Sequence, residues 1–128
     1  MLLKLSPTKV GTWQDCPRKY FLTYVAKKRH GRSWAHLSYG NAVHGALREW
    51  FDLPVEQRTA DRIPALVDGA WTDAGFLDED QAAKWRAHAA QIVRDYLAGV
   101  PSSFEPMSTE RSLAFKTETF IVEGRIDR

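Results

Sequence analysis

The period of the apolar residues changes once along this chain, after Pro106, and that change limits the fold more than any other feature. Before it, Trp85, Ala89, Ile92, Val93, Tyr96 and Leu97 recur at helical spacing until Gly99 and Pro101 stop the run. After it, Leu113 and Phe115 share one face of a strand. Phe120, Val122, Gly124 and Ile126 share one face of a second, with a loop near residues 116–119. A sequence with both periods is neither an all-helical bundle nor an all-β sandwich; it predicts an α+β fold, helices first and then a hairpin. A lone hairpin is only marginally stable, so these strands require more sheet or close packing on the helices. With 128 residues the expectation is a single domain over residues 1–128, mainly helical over 1–99 and a β-hairpin over 107–128.

Helix boundaries are marked along the first part. Ser6 can cap a helix that has Pro7 at its first position and runs to about Gln14. Pro17 restarts the pattern, and Tyr20, Phe21, Tyr24 and Val25 recur at spacings that predict packing against a core, until Lys27, Lys28 and Arg29 close the helix. An exposed loop follows over residues 30–36. A third helix opens near Leu37 to Asn41 and carries Val43, Leu47, Trp50 and Phe51 on one face as far as Pro54. Ile63, Leu66, Val67, Ala70 and Trp71 make a fourth stripe, opened by Asp61 with Pro64 in its first turn. Asp78 and Gln81 have the spacing of a capping box at the start of the long helix.

Composition excludes several classes. The chain is 44% hydrophobic and has 5 Trp, 4 Tyr and 6 Phe, enough for a packed core. It lacks an apolar run long enough to span a bilayer and an N-terminal signal-peptide core, so no membrane partner is expected. Cys16 is the one cysteine; it cannot form an internal disulfide and fits a reducing, cytoplasmic setting. Net charge is +2, but residues 1–50 carry nine Lys/Arg against two acids, while residues 51–128 carry nine against fourteen. A basic first segment is the footprint of a protein that meets a polyanion, and equally that of a solvated helical surface.

Three segments, taken in order, resemble the RecB-like nucleases of the PD-(D/E)XK superfamily. They are Leu5-Ser6-Pro7-Thr8-Lys9 through Cys16-Pro17-Arg18-Lys19-Tyr20-Phe21, then Tyr39-Gly40-Asn41-Ala42-Val43-His44, then Val122-Glu123-Gly124-Arg125-Ile126-Asp127-Arg128. The resemblance spans nearly the whole chain, and it is the ordered set that is specific. It implies a restriction-endonuclease-like mixed sheet and metal-dependent phosphodiester hydrolysis of DNA, exonucleolytic, in repair or recombination, with a helicase or other repair protein as a possible partner. It also implies that His44 and Asp127 are the catalytic metal ligands and that Glu110 is a further ligand. An imidazole with carboxylates suits Mg²⁺ or Mn²⁺, which polarises a phosphate and lowers the pKa of an attacking water.

Read from spacing alone, the same residues have plainer roles. His44 borders the apolar face of its helix and could point into a site or bond to backbone; Asp127 is a strand-end carboxylate that could pair with Arg125 or Arg128; Glu110 is a strand-edge charge. Arg18 and Lys19 are assigned to phosphates, and the neighbouring aromatics to packing. Cys16 falls where iron–sulfur members of the family place their first cluster cysteine, yet a cluster needs four thiolates and a small buried hydrophobe is the alternative. The family's D/E-x-K pair lies on the strand after Asp127. The expectation is therefore a sheet that continues past Arg128 and a 128-residue chain that is inactive by itself. The alternative is a non-catalytic nucleic-acid-binding or interaction module on the same scaffold.

Overall fold

The helical period of the middle of the chain is realised as three packed helices, α3 (Ala35–Asp52), α4 (Ile63–Ala70) and α5 (Glu79–Ala98), each in contact with the other two. They belong to a compact unit of residues 32–109; residues 1–31 and 110–128 form a second unit. The computed structural model describes residues 2–28 and 31–126. Over these residues the architecture is α+β, with five α-helices and a mixed three-stranded sheet.

The core of the helical unit joins large and small residues: Trp50, Phe51, Ile63, Val67, Val93 and Leu97 cluster with Ala46 and Ala89, and Ala42 and Ala82 are also buried. Burying a side chain such as Ile63, Val67 or Val93 contributes roughly 1.5–3 kcal/mol. Gly45 lets α3 approach α4, since a Cβ there would stand 2.9 Å from Ala70 Cβ. Gly75 turns the chain at φ +90 against Trp34 and Ala35, where a Cβ would meet the Ala35 amide nitrogen at 2.5 Å. Only glycine suits that position.

Arg58, in the link between α3 and α4, is buried. Its Nε donates to Leu53 O, one Nη to Ser102 O and Phe104 O, and the other to Phe51 O and Glu105 Oε1, all within 3.1 Å. One guanidinium thus ties the end of α3 to the segment after α5. Each of its five N–H groups has an acceptor, which is what burial of a charge requires.

The second unit opens with β1 (Leu3–Leu5), followed by α1 (Pro7–Asp15), α2 (Pro17–Tyr20) and a π-helical turn over Phe21–Val25. It closes with β2 (Arg111–Lys116) and β3 (Phe120–Ile126). β3 is central: β2 pairs with it antiparallel, from Arg111↔Ile126 to Lys116↔Ile121, and β1 pairs with it parallel, from Leu3↔Phe120 to Leu5↔Val122. The hairpin stands where the alternation places it, and β1 supplies the additional sheet it needs.

Most helix starts follow the sequence. Ser6 Oγ accepts from the Lys9 amide and Asp78 Oδ1 from the Gln81 amide. Gln81 Oε1 reaches back to the Leu77 amide rather than to that of Asp78. Two boundaries differ: α3 begins at Ala35, ahead of Leu37, and Asp61 lies in a 3-10 turn (Ala60–Arg62) rather than capping α4. No described helix is long and apolar enough to cross a membrane.

Candidate nucleic-acid and metal site

Alternation along the β2–β3 ladder sorts the sheet into an apolar and a polar face. Leu113, Phe115 and Val122 share the first; Ser112, Ala114, Glu123 and Arg125 share the second, as paired positions must. On the polar face Lys4 Nζ meets Glu123 Oε1 at 3.1 Å, and an Arg125 Nη stands 3.7 Å from Glu110 Oε1. An open cleft of about 560 Å³ runs over this face, lined by Ser6, Ser112, Ala114, Glu123 and Arg125 together with Leu113 and Gly124. Both carboxylates, Glu110 at the sheet margin and Glu123 at its centre, therefore face cations. Sequence spacing singles out neither Glu123 nor Lys4 as a site residue, although the strand alternation that puts Ile121, Glu123 and Arg125 on one face is a signal that points to Glu123.

His44 belongs to the other unit, in the middle of α3, one residue before the close approach at Gly45. His44 is exposed on α3. Asp127 lies outside the described residues, as does Arg128. No three His, Cys, Asp or Glu side chains gather as a metal-holding group among the described residues. Of the expected donors, His44 belongs to the unit of residues 32–109 and Glu110 to the unit of residues 1–31 and 110–128.

Cys16 ends α1 and caps α2: its backbone N–H donates to Thr12 O, and its Sγ accepts from the Lys19 amide at 3.4 Å. This gives the half-buried lone thiol a local role, as acceptor for one of the amide donors a helix start leaves unpaired. Cys16 is the one cysteine of the 128 residues, and a four-thiolate iron–sulfur cluster would need three more from further sequence. Arg18 and Lys19 follow on α2, both exposed.

The aromatics around them are not core, contrary to their spacing. Phe21 is 53% exposed, Tyr20 and Tyr24 are half-buried, and α1, α2 and the π-helical turn bury no residue. α2 is only 4 residues long, and the π-helical turn that follows breaks the helical register on which the spacing argument depended. The rings instead contact one another: Trp13 meets Tyr20 edge-on at 5.6 Å and Tyr20 meets Tyr24 at 5.2 Å, with Lys9 Nζ 5.7 Å from the Tyr24 ring.

The helical unit holds its own aromatic cleft of about 350 Å³, lined by Ala35, His36, Tyr39, Phe76, Gln81 and Trp85. Burial raises the Tyr39 phenol above its ordinary value, and the Tyr39 hydroxyl shares a 2.8 Å hydrogen bond with His88 Nδ1.

The profile of the PD-(D/E)XK nuclease superfamily matches residues 4–128. No curated protein and no solved structure matches the chain.

Proposed function

Because this chain belongs to the PD-(D/E)XK nuclease superfamily, we propose that it binds metal and DNA as a DNA exonuclease acting in repair or recombination. The superfamily hydrolyses phosphodiesters, typically with a divalent metal, so the substrate class is nucleic acid; the choice of DNA and the exonucleolytic mode belong to this proposal. The match over residues 4–128 carries the reading. Mg²⁺ or Mn²⁺ would be held by His44 and Asp127, with Glu110 as a further donor. The ion would polarise the scissile phosphate and acidify a water. Glu110 immediately precedes Arg111, whose ladder partner is Ile126, and Asp127 immediately follows Ile126 in sequence. Arg18 and Lys19 would neutralise phosphates, and a reducing cytoplasmic setting would suit the single thiol.

No Asp or Glu in the 128 residues is followed two positions later by Lys, so the superfamily's water-activating lysine is not contributed by a D/E-x-K triplet here. Residues 1–128 by themselves should therefore bind DNA without turning it over.

A second reading, a non-catalytic nucleic-acid-binding module, is favoured by one observation: Glu110 and Glu123 face Arg125 and Lys4 rather than one another. The two readings separate on cleavage of linear DNA by the protein with Mn²⁺. The nuclease reading expects His44→Ala and Asp127→Asn to abolish cleavage while leaving salt-sensitive binding within about threefold. Wild-type protein that binds DNA but never cuts it establishes the second reading instead.

A further inference from the structure

The strongest unassigned feature is the surface of α1, α2 and the π-helical turn, where large apolar side chains lie exposed among cations. Trp13 is 54% exposed and Phe21 53%. Trp13, Tyr20 and Tyr24 form a continuous chain of rings with centroid separations of 5.6 and 5.2 Å. Lys9 lies against the far end of that chain, and Arg18, Lys19, Lys27 and Lys28 are exposed in the same segment. Residues 1–31 carry seven Lys/Arg and a single acid, Asp15.

We propose that this surface binds single-stranded nucleic acid, with unpaired bases stacking on Trp13 and its neighbouring rings while the surrounding lysines and arginines hold the phosphates. The inference rests on the nuclease reading and adds strand preference to it. An acidic partner protein would also suit the charge, but a chain of aromatic rings beside cations matches both halves of a nucleotide, base and phosphate. A base has an open π-face only when it is unpaired, so a stacking surface selects single strands over duplex. The π-helical turn has a part in this. It breaks the packing register that would have turned Tyr20, Phe21 and Tyr24 toward a core, and Lys27, at φ 50, bends the chain just after it.

The test is fluorescence anisotropy of the whole chain with labelled oligothymidylate of about 16 nucleotides, with an abasic strand of equal length and charge, and with the corresponding duplex. Oligothymidylate should bind about tenfold more tightly than the abasic strand, and Trp13→Ala should remove that difference. Trp13→Phe should restore most of it, since a smaller ring still stacks. Arg18→Ala and Lys19→Ala should weaken both strands equally. Equal binding of thymidylate and abasic strands by the wild type, or a Trp13→Ala variant that still discriminates between them, overturns the stacking proposal and leaves the nuclease reading intact. Failure to bind any oligonucleotide at low salt overturns both and points to a protein partner.

Discussion

Arg58 does the work of a small network, because four of its five hydrogen bonds end on main-chain carbonyls from two segments far apart in sequence. Its side chain is 2% exposed, whereas that of Glu105, its only side-chain acceptor, is 63% exposed. The carbonyls therefore matter more than the ion pair, which solvent screens. Arg58→Met should destabilise the protein by about 3–5 kcal/mol, and Arg58→Lys by nearly as much, since an ammonium cannot reach five acceptors in one plane. Glu105→Ala should cost less than about 1 kcal/mol. Urea midpoints of the three variants decide the matter: if Glu105→Ala is as damaging as Arg58→Met, the ion pair rather than the carbonyl network holds the link. The sequence offered no hint of this arginine. Between Gln57 and Thr59 it reads as a solvated charge, and a main-chain carbonyl 44 or 46 residues away leaves no mark of residue identity. Cys16 is a similar case, since a thiol that caps a helix looks in sequence like any lone cysteine.

Among the elements, those with long periodic signals were legible and those set by tertiary contact were not. α5 stands at its expected limits, because Asp78 and Gly99 bound it; the hairpin's strands pair in the register that strict alternation fixes, although β2 begins at Arg111, four residues after the expected start of the hairpin. β1 is three residues long, too short for alternation to show, and exists because β3 offers it an edge. The contact between α3 and α5 carries the pH-dependent element. Tyr39 of α3 bonds to His88 of α5 and packs edge-on against Trp85 at 5.7 Å. Burial disfavours the phenolate and raises the Tyr39 pKa from its ordinary 10.0, so the unfolded chain loses this proton first. The stability due to this group is then complete below the ordinary tyrosine value and is lost as pH climbs through the raised one. As pH rises above the ordinary tyrosine value of 10.0, the urea midpoint should fall further in wild type than in Tyr39→Phe. Parallel pH profiles for the two proteins would show that the half-buried phenol contributes nothing to alkaline lability. At neutral pH, Tyr39→Phe should cost about 0.5–1.5 kcal/mol through its hydrogen bond to His88.

Over the whole molecule, charge is divided in the same way as the fold. The unit of residues 1–31 and 110–128 holds eleven Lys/Arg against five Asp/Glu, and the unit of residues 32–109 holds seven against eleven. A net charge of +2 conceals a cationic body and an anionic one. Sequence halves showed the direction of this asymmetry but placed its boundary near residue 50, because the strands that complete the basic unit come from the far end of the chain. The cations that neutralise a polyanion's phosphates should therefore come from the first unit. Counterion release makes this measurable, since each phosphate contact to a single strand contributes a slope of about −0.7 in a plot of log affinity against log salt. Lys19→Ala and Lys28→Ala should each flatten that plot by about 0.7, while Lys84→Ala, a change of equal charge on α5, should leave both slope and affinity unchanged. Equal flattening by Lys84→Ala would mean that DNA responds to the net charge of the chain rather than to a surface of the basic unit, and the assignment of Arg18 and Lys19 to phosphates would fall with it.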